Sequence, residues 1–260
     1  MNTRPGFAER LRAGEQLLAV SASTSVVAIE ILADCDFDWL FIDAETLPLS
    51  MDDVQSLLRA LPNRTDNGAP AALVRLNTDN EADIRQVLDI GADGVIIPLV
   101  KTAEQARRIV AAAKYPPLGE RGMAGARAQG YGSKTADYIQ RANHDTVVVV
   151  MIEDSVGLSN VEEIAAVPGL DGLFVGSGDL SLSLGLFGQM MHVEMQSAYQ
   201  RIAQAAQSNK LAVGGFPANE EMFRFCLTQG FSFFLTALDT GLLRSAAQNK
   251  LLEAKTWLGQ

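Results

Sequence analysis

The stretch VVVVMIEDSVGLSNVEEIAAVPGLDGLFVGSGD, residues 147–179, decides the fold. Its opening run, VVVVMIE (147–153), is β-branched and short, as a strand buried on both faces should be. NVEEIAAV (160–167) then places its apolar residues at helical spacing. A second apolar run, GLFVGSGD (172–179), closes a strand–helix–strand unit. Read outward, the same alternation continues to both ends. Strand-like runs stand at LLAVSA (17–22), WLFIDAE (39–45), AALVRL (71–76), GVIIPLV (94–100), LAVGGF (211–216) and FSFFLTALD (231–239). Amphipathic stretches lie between them, such as MDDVQSLLRALP (51–62), NEADIRQVLDI (80–90) and HVEMQSAYQRIAQAAQSN (192–209). Ser50, Thr102 and Asn219 stand where helix N-caps are needed. With a last helix at 240–259, eight βα units fill 260 residues, which predicts an α/β chain folded as one (β/α)8 TIM barrel rather than an open sheet.

No Pro/Gly/Ser linker or charge block divides the chain, so 1–260 reads as one domain. The longest interruption, 116–146, is rich in glycine and carries Arg121 and Arg127; such an insertion is more often functional than idle. The net charge of −10 argues against a nucleic-acid or anionic-membrane surface. Cys35 and Cys226 are far apart in apolar helical patterns and read as buried free thiols. The first sixteen residues contain no apolar segment of a secretory signal, and no run is long enough to span a bilayer, which makes the cytoplasm the expected location.

Barrel enzymes place their chemistry where the strands end. The second run ends in Asp43, Glu45 and Thr46, the third at Arg75, the fifth in Glu153-Asp154, the sixth in Ser177-Gly178-Asp179 and the eighth in Asp239. Asp154 and Asp239 read as helix N-caps. Glu153 continues an apolar run, and Asp179 follows a Gly-Ser-Gly turn, so neither is explained by capping alone. Two carboxylates on adjacent strands repel unless a proton or cation lies between them, and an all-oxygen pair suits Mg²⁺ or Mn²⁺. Arg75 is placed to oppose an oxyanion. His144 and His192 read as surface or capping residues. Lys101 reads as a solvated residue before a helix, the alternative being a Schiff base with a carbonyl substrate.

At these residues the sequence resembles the HpcH/HpaI aldolase / citrate lyase family, a group on a phosphoenolpyruvate/pyruvate-type barrel. The resemblance is carried by FDWLFIDAE (37–45), VRLN (74–77), LDIGADGVIIPLV (88–100), KYPPLGERG (114–122), the 151–185 segment and LDTGLLRSAA (238–247). It implies a divalent-metal carbon–carbon lyase acting on a 2-oxo acid such as pyruvate or oxaloacetate, with an aldehyde or acyl acceptor. Glu153 and Asp179 match the metal ligands and Arg75 the residue that stabilises enolate or alkoxide charge. The family's Asp-x-Glu-His motif becomes Asp43-Ala44-Glu45-Thr46, so the usual proton-handling His is Thr46, while its Asp partner is retained as Asp89. The substrate-side positions fall on Met151 and on Ser177-Gly178, with Arg121 in the insertion.

A threonine hydroxyl is no base near neutral pH. Three readings therefore stand. In the first, Glu45, Asp89, Arg121 or a metal-bound water covers proton transfer in an aldolase or decarboxylase. In the second, the chain performs a Claisen-type condensation of oxaloacetate with acetyl-CoA, as in a citrate synthase branch serving siderophore assembly. In the third, it is a non-catalytic keto-acid-binding barrel. The resemblance also implies a homo-oligomer, a hexamer of dimers that exchange the 240–259 helix, in which Asp89 reaches a neighbour's site.

Overall fold

Each apolar run forms a strand, and the strands close on one another in chain order. They are β1 (Leu17–Ser21), β2 (Trp39–Asp43), β3 (Ala71–Arg75), β4 (Gly94–Ile97), β5 (Val147–Ile152), β6 (Gly172–Val175), β7 (Ala212–Gly215) and β8 (Phe233–Ala237). All pairings are parallel, and β8 returns to β1, giving a (β/α)8 barrel. The computed structural model describes residues 5–61 and 69–259; Pro62, the end of the 51–62 stretch, lies outside them. The helices, in chain order, are α1 (Phe7–Arg12), α2 (Val26–Ala33), α3 (Met51–Ala60), α4 (Glu81–Asp89), α5 (Ala103–Ala113) and α6 (Thr135–Asp145). They continue as α7 (Ser155–Ser159), α8 (Val161–Ala165), α9 (Ser177–Ser183), α10 (Val193–Ser208), α11 (Glu220–Thr228) and α12 (Asp239–Trp257). Ser50, Thr102 and Asn219 cap α3, α5 and α11 through their side-chain oxygens, as their sequence positions predict.

The period-two alternation of a strand sorts the apolar residues into two cores. One set faces outward and packs under the helices, with Val20, Leu40, Ile42, Val148, Val150 and Phe234 among its members. The other fills the lumen with Leu17, Ala19, Trp39, Phe41, Leu73, Val149, Met151, Phe174, Phe233 and Leu235. Large rings there need empty neighbours. Trp39 and Phe233 lie 6.0 Å apart and Phe174 and Phe233 5.7 Å, and glycines occupy the facing positions. A Cβ on Gly214 would stand 2.3 Å from the Phe233 carbonyl oxygen and 2.8 Å from its ring; one on Gly94 would stand 2.3 Å from the Val147 carbonyl oxygen.

Helix α1, within the segment read only for its lack of a signal, plugs the N-terminal end of the barrel. Phe7 packs on Trp39 at 6.3 Å, and Arg10 and Arg12 pair with Asp38 and Asp171. Insertion 116–146 holds a short 3-10 segment, Arg127–Gly132, and α6. Arg127 ties it to α3 and α4 through the Leu58 and Ile90 carbonyls.

Two expectations are corrected. Cys35 is exposed, because it follows α2 in the turn before β2; only Cys226 is buried. Asp239 is not an N-cap but the first residue of α12, and its buried carboxylate accepts the Ser23 and Thr24 amides and the Ser21 and Thr24 hydroxyls. Beyond Asp239, α12 buries no residue, and Leu243, Leu252, Trp257 and Leu258 are exposed along it. Leu18 on the outer face of β1 and Val27 and Ile31 on α2 are uncovered as well.

Over-packing a closed lumen costs about 1–3 kcal/mol. Gly214→Ala is therefore expected to lower the unfolding free energy by roughly that amount. Gly178→Ala, where a Cβ meets nothing within 4 Å, is expected to leave it unchanged. Urea denaturation of both variants checks this.

Candidate active site

The alternation that fills the lumen with rings ends in charge. Two residues beyond Phe41 stands Asp43, two beyond Leu73 stands Arg75, and two beyond Met151 stands Glu153. β2 and β3 pair with Asp43 opposite Arg75, so the two side chains meet directly. Arg75 donates through Nε to Asp43 Oδ1 at 3.0 Å and through Nη2 to Oδ2 at 2.8 Å. Its Nη1 lies 2.8 Å from Glu45 Oε2. The guanidinium sits 5.2 Å from the centre of the Phe41 ring, on top of the apolar plug. Asp43 also accepts the amides of Glu45 and Thr46, and the Thr46 hydroxyl donates to its Oδ2. Burial alone would push the Asp43 carboxyl up, but the bonds from Arg75 and Thr46 hold it below the usual carboxylate range.

Glu153 is buried, with 3% of its surface exposed. Its Oε1 accepts the Leu99 amide at 2.6 Å. Ile152 pairs with Val175, which sets Glu153 beside Gly176; a Cβ on Gly176 would stand 2.4 Å from Glu153 Oε2. Glycine is required there by the carboxylate itself. Burial pushes the Glu153 carboxyl up to about 7; Glu45 and Asp179 add to the shift, while the Leu99 amide and Arg75 oppose it. Asp179 is exposed in the first turn of α9, not at the end of a strand, and its charge reaches both Glu45 and Glu153. Glu45 is likewise pushed up, by burial first and by Asp43 and Asp179 next, against the pull of Arg75.

Other residues singled out in the sequence lie as follows. Met151 is buried in the lumen core beneath Glu153, and Ser177 is buried at the start of α9 with Gly178 exposed after it. Lys101 is half-exposed and pairs with Asp154, which caps α7. His192 caps α10, and His144 is exposed against Asp145. Asp89 and Arg121 are joined to each other at 2.6 Å, but away from this site. Asp89 ends α4, which runs back from the mouth, so it sits at the N-terminal end of the barrel. Arg121 follows α5 at that same end, its guanidinium over the rings of Tyr115 and Tyr138 at 4.8 and 5.7 Å. Within one chain, neither reaches Arg75 or Glu153. Ser23, whose hydroxyl accepts the Asp43 amide at 2.8 Å, and Leu99 and Gly176 join the site without having been singled out.

The profile of the HpcH/HpaI aldolase/citrate lyase family matches residues 16–246. The chain belongs to that family. A 2-keto-3-deoxy-L-rhamnonate aldolase of Salmonella paratyphi A is 37% identical over 257 residues, covering 96% of this chain and 93% of that protein. The structure of an HpcH/HpaI aldolase/citrate lyase family protein from Burkholderia cenocepacia superposes with a TM-score of 0.88 at 34% identity, covering 95% of this chain and 98% of that one. The structure of citrate synthase SbnG superposes with a TM-score of 0.86 at 27% identity, covering 98% and 99%. This HpcH/HpaI-family chain is an enzyme, a metal-dependent lyase of the aldolase type acting on carbon–carbon bonds.

The donors present fit a hard divalent cation. Glu153 and Asp179 offer carboxylate oxygens, the charge of Asp179 adds to the upward shift of Glu153, and a cation would relieve a buried carboxylate that makes no ion pair among the described residues. Among the described residues no group of three or more His, Cys, Asp or Glu side chains is arranged to hold a metal. A cation here would therefore keep most of its positions for water and substrate, as Mg²⁺ does. No helix among the described residues is long and apolar enough to cross a membrane.

The raised carboxyl of Glu153 makes stability depend on pH. An unfolded glutamate ionises near ~4.3, so from there to about 7 the folded, cation-free chain holds a proton the unfolded chain has released. Stability therefore falls as pH rises through that window. The melting temperature of the chelator-treated protein is expected to drop between about pH 5 and about pH 8, and Glu153→Gln to flatten that drop. Calorimetry of both proteins across the window checks it.

Proposed function

We propose that the chain cleaves a 2-oxo acid bearing a hydroxyl two carbons beyond the carbonyl, releasing pyruvate and an aldehyde, with oxaloacetate decarboxylation as a related activity. The observation that carries this is the meeting of Asp43, Arg75, Glu45 and Glu153 above the aromatic plug, in a chain similar to a 2-keto-3-deoxy-L-rhamnonate aldolase. Glu153 and Asp179 would hold the divalent cation, Mg²⁺ or Mn²⁺. When bound, that ion supplies Lewis acidity toward a carbonyl substrate.

The chain's own residues do the rest. Arg75 keeps N–H groups beyond those given to Asp43 and Glu45, and these face a substrate oxygen that gains charge. Asp43 fixes the guanidinium in one plane, and Thr46 donates to Asp43; the threonine serves orientation, not proton transfer. Glu45, half-buried and raised, takes over the proton of the substrate hydroxyl. Lys101 is spent on Asp154. Met151 forms the floor, and Ser177 and Gly178 the wall on the α9 side.

Similarity to citrate synthase SbnG, together with Thr46 in place of the base, favours one second reading: condensation of oxaloacetate with acetyl-CoA. A panel separates the two. Pyruvate with aldehydes, oxaloacetate alone, and oxaloacetate with acetyl-CoA are assayed with Mg²⁺, with Mn²⁺ and with chelator. Aldol turnover that chelation abolishes is expected, with no thiol released from acetyl-CoA. Glu153→Gln and Arg75→Ala are expected to lower kcat by roughly a hundredfold or more, and borohydride is expected to trap no adduct on Lys101. Thiol release without aldol turnover reverses the assignment.

The assembly we infer is a dimer that exchanges α12, with dimers joined into a hexamer. What supports it is the uncovered face of β1 and α2, where the eighth outer helix of a barrel belongs, beside an α12 that buries no residue beyond Asp239. Asp89, held by Arg121 at the far end, is then offered to a neighbour's mouth. Leu243→Glu with Leu252→Glu is expected to reduce the mass in light scattering to that of a single chain.

A further inference from the structure

One residue beside the site is strained without a packing reason. Leu99 follows β4 in the left-handed conformation, at φ 53°, which a side chain disfavours. Its side chain is 49% exposed, so burial does not account for it. What the conformation does is aim the Leu99 N–H at Glu153 Oε1, 2.6 Å away. Strain of this kind points from an observed outlier to a role. The turn is held in place on its far side: the Val100 amide donates to the Met151 carbonyl at 3.3 Å, and Gly157 lies so close that a Cβ would stand 2.7 Å from the Val100 carbonyl oxygen. Across the strand, Gly176 gives up its own side chain to Oε2.

We propose that the Leu99 turn and Gly176 form a two-sided clamp that fixes the orientation of the Glu153 carboxylate, so that one oxygen is held by the protein and the other is left for a cation. Among the described residues the Leu99 amide is the one hydrogen-bond donor to Glu153. An amide on Oε1 stops the carboxylate from rotating, and a bare Cα at Gly176 admits Oε2 in that same rotamer. Leu99 and Gly176 are positioning residues: they act through Glu153 and touch no substrate. The inference rests on the reading of Glu153 as a cation ligand, and its test separates the two.

The measurement is Mn²⁺ binding by calorimetry, without substrate. Wild type is compared with a protein whose Leu99 amide is replaced by an ester, using the α-hydroxy analogue of leucine, and with Gly176→Ala. Groups that orient a metal ligand typically carry roughly ten- to a hundredfold in metal affinity. The ester and Gly176→Ala are each expected to raise the Mn²⁺ Kd at least about tenfold, with circular dichroism unchanged. Leu99→Gly, which keeps the N–H and suits the left-handed angle, is expected to stay within about threefold of wild type. Wild-type binding that is lost in Glu153→Gln, but untouched by the ester, overturns the clamp and leaves the cation site standing. No Mn²⁺ binding by wild type overturns both. Should Gly176→Ala fail to fold, the ester alone decides.

Discussion

A side chain that points into a closed eight-stranded barrel has few choices: it fills the lumen, or it meets another group that cancels its charge. Every other feature follows from how this chain meets that constraint. The lower layers are filled by Trp39, Phe41, Phe174 and Phe233, with glycine opposite them because two side chains do not fit. One layer higher the same alternation delivers Asp43, Arg75 and Glu153. Asp43 and Arg75 neutralise each other across paired strands. Among the described residues Glu153 has no such partner. Its one hydrogen bond among the described residues comes from a backbone amide, and in the proposed reaction its charge meets a divalent cation.

The threonine at position 46 changes the meaning of the neighbouring carboxylate. With its hydroxyl on Asp43, the Asp43–Arg75 pair is saturated: two amides, a hydroxyl and a fork of guanidinium N–H groups converge on one aspartate. A carboxylate so well solvated is held low and is a poor base. In the proposed reaction the proton falls to Glu45, which shares Arg75 but also faces Asp43 and Asp179, and is driven upward. Two acids two positions apart, Asp43 and Glu45, are separated in acidity by what surrounds them, which is the condition for different roles.

Much of this was legible in the sequence. The eight runs gave eight strands in order, because strands buried on both faces announce themselves as uninterrupted apolar text. Glu153 stood out because a carboxylate ended such a text. The runs overshot the strands at their C-terminal ends, where residues such as Gly176–Asp179 leave the sheet to start a helix. What stayed hidden depends on backbone direction and distance. Nothing in the letters of Leu99 tells that it is left-handed, and an amide donor has no residue type. The role of Gly176 needs the register between β5 and β6. Asp89 is near Arg75 in sequence, but a helix running back from the mouth carries it to the opposite end.

The open side of the barrel and the site are also physically joined. Asp239 begins the exposed α12, and its carboxylate takes the amides of Ser23 and Thr24 at the end of β1. Ser23 in turn accepts the Asp43 amide, and Asp43 grips Arg75. The first residue of the helix that leaves the barrel and the arginine at its centre thus belong to one hydrogen-bonded chain. A helix exchanged between chains would be anchored, at its root, to the network that orients the guanidinium. That is a physical reason for a buried aspartate to stand where a simple cap would have sufficed: it fastens the outgoing helix to the loop on which the site is built.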